Sequence, residues 1–224
     1  MSLLFRQPVN HFVSDKKDET IVFEPESFPS NATLYFKNVA NSTITINAPC
    51  TKVFIEGCDS STFTFSSRIV TQMLEVWKSS TVIINLNTPV LTIQADQVNG
   101  LNVVYSNKEH FETLVWTKSE GIHLVVAETV VDAGFESSKE IHKGQYEIVD
   151  TDQFIIRFVG GILKSEVIVR IGTGFPTTAR EDDAYLARET KNLNKLAAVV
   201  REDLTRARKE KILREIATPV KKET

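Results

Sequence analysis

Between Leu34 and Val126 the chain alternates short apolar and polar runs, and the runs repeat. Ser42-Thr43-Ile44-Thr45-Ile46 recurs as Ser61-Thr62-Phe63-Thr64-Phe65 and as Ser80-Thr81-Val82-Ile83-Ile84. Weaker copies follow at Gly100-Leu101-Asn102-Val103-Val104 and Gly121-Ile122-His123-Leu124-Val125. Copies beginning at 42, 61, 80, 100 and 121 are spaced by 19, 19, 20 and 21 residues, a period that marks a solenoid. A second apolar run precedes each copy: Leu34-Tyr35-Phe36, Val53-Phe54-Ile55, Met73-Leu74-Glu75-Val76, Val90-Leu91-Thr92-Ile93 and Leu114-Val115-Trp116. Each repeat therefore predicts at least two strands.

The residue types favour strand over helix. Thr, Val, Ile and Phe dominate, and period-2 alternation sends Thr43, Thr45, Thr62 and Thr64 to one face and Ile44, Ile46, Phe63 and Phe65 to the other. Turn formers separate the runs, among them Asn38, Asn41, Gly57, Asp59, Ser79, Asn87, Asn99-Gly100 and Gly121. No stretch here is long enough for a crossover helix. A leucine-rich repeat needs a Leu/Asn ladder that is missing. An antiparallel sandwich gives similar strand spacing, but the repeated strings keep their phase, which favours a parallel β-helix with an apolar column inside.

The flanks read differently. Val9 to Val13 and Thr20 to Phe23 predict two strands that cap the first coil, and residues 127–150 are looser. Phe154 to Val159 and Leu163 to Ile171, joined through Gly160-Gly161, predict a hairpin. An isolated hairpin is marginal in water, so it pairs with its own β-helix or with a second subunit's sheet. After Pro176, Thr178-Ala179-Arg180-Glu181 is a capping box. Acids fill the first turn of the helix it opens, and Arg206, Arg208, Lys209, Lys211 and Arg214 crowd the last turns. Leu186, Leu193, Ala197, Val200, Leu204 and Ala207 form a narrow apolar stripe along it, and Thr218-Pro219 ends it. Such a helix implies a partner over residues 179–217, a coiled-coil twin or a cytoskeletal groove, against the plainer reading of a solvated helix.

Composition narrows the function. An apolar content of 42% suffices for a core, and a net charge of −3 argues against a nucleic-acid or membrane partner. No run is long enough to span a membrane, and Met1 to Pro8 is too short in apolar residues for a signal peptide, which points to an intracellular protein. Asn31-Ala32-Thr33 and Asn41-Ser42-Thr43 are then chance glycosylation matches. Cys50 and Cys58 have no metal or redox spacing and read as buried reduced thiols. His11, His110, His123 and His142 are scattered, and no nucleophile motif or phosphate loop is present. Trp77 and Trp116 end strands and read as rim packing rather than sugar-stacking platforms. No enzyme activity, cofactor or metal is expected.

The coils plus hairpin, from Phe12 to Ile171, resemble the C-terminal domain of cyclase-associated proteins, the C-CAP/cofactor C-like module. The strings that carry the resemblance are Val90-Leu91-Thr92-Ile93 leading into Asp96-Gln97-Val98-Asn99-Gly100, then Tyr105-Ser106-Asn107, Lys118-Ser119-Glu120, and Gln153-Phe154 followed by the Gly161 turn. The resemblance implies an all-β, right-handed parallel β-helix over residues 1–172 with a terminal dimerisation hairpin at 153–172. Residues 173–224 then form a charged amphipathic helix, beyond where the family usually ends. It implies a cytoplasmic, cytoskeleton-associated protein that binds monomeric actin and promotes its nucleotide exchange as a homodimer. Lys118, Ser119 and Glu120 match an actin-facing run, and Phe154, Gly161 and Val167 match the dimer hairpin. Leu186, Leu193, Val200 and Leu204 are the expected partner face of the helix. The related cofactor C branch uses an arginine finger; here Gln72-Met73-Leu74-Glu75 has Leu at that position, which cannot stabilise phosphoryl-transfer charge. The alternative is a structural subunit of a cytoskeletal or ciliary (axonemal, microtubule-associated) assembly, anchored by the helix.

Overall fold

A computed structural model of the chain describes residues 9–144, 147–172 and 174–217. Two strands form per coil. Coil one holds β1 (Val9–Ser14) and β2 (Thr20–Phe23), coil two β3 (Ala32–Lys37) and β4 (Thr43–Ile46), coil three β5 (Lys52–Glu56) and β6 (Thr62–Phe65). Coil four holds β7 (Met73–Trp77) and β8 (Ser80–Leu86), coil five β9 (Thr92–Asp96) and β10 (Asn99–Tyr105), coil six β11 (Thr113–Thr117) and β12 (Glu120–Val126). Then come β13 (Thr129–Ala133), helix α1 (Phe135–Ile141) and the hairpin β14 (Gln153–Val159) and β15 (Ile162–Arg170). The odd strands of the coils stack parallel as sheet 1 and the even strands as sheet 2, so the fold is a β-helix. The predicted cap strands β1 and β2 are themselves the first coil.

The interior is a set of stacked side-chain columns. Leu34, Val53, Leu74, Ile93 and Leu114 lie in register on sheet 1, facing Ile44, Phe63, Ile84, Val103 and Leu124 on sheet 2. All ten are 0% exposed. Each such aliphatic or aromatic burial is worth roughly 1.5–3 kcal/mol, and the columns multiply it along the stack. Trp116 is also 0% exposed, a core residue rather than a rim residue. Its ring stacks on Phe154 at 4.1 Å between centroids, so the hairpin supplies the platform that takes it inside.

The two turns of each coil behave differently. From sheet 1 to sheet 2 the separation is constant: Leu34 to Ile44, Val53 to Phe63, Leu74 to Ile84, Ile93 to Val103 and Leu114 to Leu124 are each ten residues. The backbone is left-handed twice at this corner in every coil. The first position is Asp15, Asn38, Gly57, Lys78, Gln97 and Lys118, and the second is Asp18, Asn41, Ser60, Thr81, Gly100 and Gly121, with φ between +46° and +76°. The return turn varies instead. Ile46 to Val53 and Leu86 to Ile93 take seven residues, Phe65 to Leu74 and Tyr105 to Leu114 nine, and Phe23 to Leu34 eleven. This corrects the repeat phase expected from the sequence. Thr62 pairs with Ile83, so Ser80 is not the counterpart of Ser61, and the true steps alternate between 19 and 21 after a first step of 23. Two extra residues in the turn after Phe65 shift the copy, and the chance recurrence of Ser-Thr hides the shift.

After coil six, β13 pairs antiparallel with β12, and β14 pairs antiparallel with β11 and then with β15. Sheet 1 thus gains two strands from the chain's own hairpin. The looser stretch after Val126 contains β13 and α1, which the sequence did not signal because both are short and mix polar with apolar residues.

The chain divides into two units, one ending at Ile168 and one beginning at Val169. The second contains β16 (Pro176–Thr178) and α2 (Ala179–Ala217). Glu181 Oε2 accepts from the Thr178 backbone N–H at 3.4 Å and from the Thr177 and Thr178 hydroxyls at 3.2 and 3.3 Å. That is the predicted capping carboxylate satisfying donors at the helix start. The stretch Thr218-Pro219, expected to end the helix, lies outside the described residues.

The left-handed corner generates a stability prediction. Thr81 is β-branched at φ +52°, where an L side chain costs roughly 1–2 kcal/mol. Thr81→Gly is expected to stabilise by about 0.5–1 kcal/mol after the added freedom of the unfolded chain is subtracted. Gly57→Ala is expected to destabilise, because φ is +62° and the new Cβ would lie 2.9 Å from Asn38 Oδ1. Urea unfolding at unchanged slope measures both, as opposite shifts of midpoint.

Candidate functional site

The core strands give inward positions to packing and leave alternate positions outward. On sheet 1 the central outward column runs Phe12, Tyr35, Phe54, Glu75, Gln94, Val115, Ile155 and Glu166. Its first three members form an aromatic ladder. Phe12 stacks on Tyr35 and Tyr35 on Phe54, both at 4.8 Å, and Phe54 meets Trp77 of the neighbouring column at 5.3 Å. Phe12 is 63% exposed, while Tyr35, Phe54 and Trp77 are half-buried. Charges flank the rings in pairs. Lys37 lies 3.6 Å from Glu56 and Lys52 bonds Glu75; far along the same sheet, on the hairpin, Arg157 lies 3.5 Å from Glu166. Lys52 Nζ also sits 4.5 Å from the Phe54 ring centroid. The wall is therefore partly aromatic, with much of its charge paired. The sequence carried a signal for it: Tyr35 and Phe54 are the middle residues of equivalent runs 19 apart, but only the register shows them stacked.

Lys118, Ser119 and Glu120 occupy the left-handed corner of coil six, and the structure gives them three different environments. Lys118 holds the first left-handed position at φ +46° and its side chain is exposed. Ser119 points inward and is 1% exposed. Its hydroxyl accepts from the Val98 N–H at 3.1 Å and donates to the Thr117 carbonyl at 2.8 Å. Glu120 is exposed, and its Oε2 accepts from the Glu136 N–H at 3.1 Å in the first turn of α1. Gly134 makes room for that carboxylate, since a Cβ there would collide with it.

Ser119 belongs to a recurring device. Ser79 accepts from the Cys58 N–H at 3.1 Å and donates to the Trp77 carbonyl at 2.8 Å. Ser61 accepts from Ser42 N–H at 3.2 Å, and Ser42 accepts from Glu19 N–H at 3.1 Å. Each buried hydroxyl ties one coil to the coil before it. At Asp59, on the exposed side of the same corner, hydrogen bonds from the Ser80 and Ser60 hydroxyls hold the carboxyl below its usual range.

The hairpin candidates lie together. Phe154 is 0% and Val167 5% exposed, and they pair across the two strands. Gly161 holds the turn at φ +86°, with open space on the side where a Cβ would project. The helix candidates are all open to solvent: Leu186 53%, Leu193 63%, Val200 48% and Leu204 66% exposed.

The remaining polar groups have structural surroundings. Cys50 and Cys58 are free and 0% and 1% exposed, and burial pushes the thiols up to about 12 and about 11. Neither forms a thiolate near neutral pH. His11 packs against Phe23 and Phe28, His123 Nδ1 lies 2.6 Å from Asp132, and His142 Nδ1 lies 2.8 Å from the Ser138 carbonyl. Among the described residues no group of three His, Cys, Asp or Glu side chains is placed to hold a metal. Leu74, at the arginine-finger position, is 0% exposed and faces the core. No described helix is long and apolar enough to cross a membrane.

Two substitutions separate fold from surface at the corner. Ser119→Ala is expected to destabilise by about 1–3 kcal/mol, because it leaves the buried Val98 N–H without its acceptor. Lys118→Ala is expected to stay within roughly 0.5 kcal/mol of the parent, as surface changes do. Thermal unfolding followed by circular dichroism gives both values.

Comparison with known proteins matches this architecture to one family. The family model described as adenylate cyclase associated (CAP) C terminal matches residues 8–161, which include all six coils and the whole of β14. No curated protein sequence matches the chain. The chain belongs to the family of adenylate cyclase-associated (CAP) C-terminal domains.

Proposed function

We propose that this protein binds monomeric actin and regulates actin dynamics, working in the cytoplasm as a homodimer without catalysing a reaction itself. The observation that carries the reading is the family match across residues 8–161, because actin binding is the activity that goes with this domain. The surface suits protein company. Aromatic rings stacked along sheet 1 beside paired charges provide anchors whose desolvation costs little. Lys118 adds an exposed cation at the corner of coil six. Glu120 contributes through the edge that its bond to α1 leaves outward, and Ser119 holds the corner in shape.

The proposed dimer uses the hairpin of β14 and β15. In one chain it completes sheet 1 on β11. The same antiparallel ladder forms if the hairpin crosses to a second copy, with Phe154 and Val167 filling the partner's core end. Light scattering of the purified chain reads the mass.

The test of actin binding uses monomeric actin loaded with a fluorescent nucleotide. The full chain at micromolar concentration is expected to accelerate nucleotide exchange, and Lys118→Glu to weaken the effect about tenfold with unchanged unfolding temperature. No acceleration and no association with actin monomers would remove this reading.

A second reading is favoured by one observation, the exposure of α2 from Asp183 to Arg214. Here the β-helix is a structural module that α2 anchors to a larger cytoskeletal or ciliary assembly. Deleting residues 179–217 is then expected to disperse a tagged protein from its cellular structure while leaving actin exchange intact. Unchanged location in imaging removes the anchoring role.

A further inference from the structure

The apolar positions of α2 follow a heptad. Leu186, Leu193, Val200 and Ala207 recur every seven residues, and Thr190, Ala197 and Leu204 fall between them at alternating four-and-three spacing. This is the core seam of a two-stranded coiled coil, with one set at the a positions and the other at d. The seam is open to solvent along its length: Leu193 is 63% and Leu204 66% exposed. The polar member of the seam has an internal partner, since the Thr190 hydroxyl donates to the Leu186 carbonyl at 2.8 Å. Burying it therefore strands no donor. Ala197 and Ala207 are small enough for a second helix to come close.

The flanking charges select the occupant and its direction. One flank of the seam carries Glu189, Leu196, Asp203 and Glu210, and the other carries Asn194, Arg201 and Arg208. In a parallel pair of identical helices each flank meets the opposite flank of the other copy. Asp203 then faces Arg208 of the second copy, Glu189 faces its Asn194, and the Arg201 stem lies along its Leu196. Asp203 shares its carboxylate with Arg206 of its own helix, 2.7 Å away. In an antiparallel pair over the same residues each flank meets itself, so Glu189 faces Glu210 of the second copy and Asp203 has no arginine opposite, which is destabilising.

We propose that α2 associates with α2 of a second copy as a parallel, in-register coiled coil over residues 186–207. This rests on neither the actin reading nor hairpin exchange. It gives the dimer a tether that holds two β-helix units at high effective concentration for a shared target.

Cysteine scanning in the full chain tests both pairing and direction. Cys50 and Cys58 are buried and do not compete for oxidant. Leu186→Cys and Ala207→Cys mark the two ends of the seam, and Lys195→Cys marks the opposite face of the helix. All three sites are exposed, so the substitutions leave the fold intact. Under mild oxidation, each seam variant alone is expected to give a covalent dimer on a non-reducing gel, about tenfold above Lys195→Cys, the ratio of a 1.4 kcal/mol preference. Adding Leu193→Gln and Val200→Gln, which keep helix propensity, is expected to abolish the cross-link. The proposal is overturned if neither seam variant cross-links, or if Lys195→Cys cross-links equally. A disulfide that forms only when the Leu186→Cys and Ala207→Cys chains are mixed shows antiparallel pairing and also overturns it.

Discussion

Everything in the β-helix depends on one corner. Twice per coil, three residues apart, the backbone turns through the left-handed region, and this takes the chain from sheet 1 to sheet 2 in a fixed number of residues. The fixed span is what keeps Leu34 above Val53 and Ile44 above Phe63 coil after coil. The return turn is free to lengthen because it carries no such register. An insertion there displaces a loop, whereas one at the left-handed corner would flip the side chains of a whole strand to the wrong face. The buried serines reinforce the corner: each hydroxyl satisfies a backbone N–H in the coil before, where strand pairing is interrupted. An interior otherwise built of aliphatic and aromatic side chains thus takes its polar groups only where a turn leaves donors to be satisfied.

The strand content and the inward face are legible in the sequence because alternation in the strands is strict. Thr43, Ile44, Thr45 and Ile46 go out, in, out, in as their types dictate. The corner is legible only in part, through turn formers such as Asn38, Asn41, Gly57, Gly100 and Gly121. Of its twelve left-handed residues only Gly57, Gly100 and Gly121 are glycine, and Lys78, Gln97, Lys118 and Thr81 give no turn signal at all. Without the corner as a marker, the eye aligns Ser80-Thr81 with Ser61-Thr62, and the third copy slips. Trp116 reads as a rim residue for a related reason. Its burial comes from Phe154, far along the chain, and no local pattern announces that the hairpin folds back over the last coil.

The candidate site is legible to a smaller degree. Lys118, Ser119 and Glu120 look like one polar triplet in sequence, yet the geometry of the corner assigns them separate tasks. The residue after a left-handed position turns inward, so Ser119 serves the fold. Its neighbours stay outside, and Glu120 accepts from the Glu136 N–H at the start of α1. The aromatic ladder is only half visible: Tyr35 and Phe54 recur at one repeat's spacing, but Phe12 and Trp77 join them only when the coils stack.

A solenoid with so constrained an interior has a particular way of acquiring partners. Inward positions are fixed by the columns and corner positions by the backbone, so recognition is written on alternate outward residues and on what is attached to the last coil. On sheet 1 Lys37 pairs with Glu56 and Lys52 with Glu75, and the rings beside them keep apolar surface to bury. The cations of the wall are thereby held back, and Lys118, exposed at the corner, is positioned to contribute charge without disturbing the ladder. Because the columns hold the strands in register from coil to coil, the outward residues form a preformed surface. The proposed pairing of α2 would double that surface and raise avidity without changing a residue of the wall.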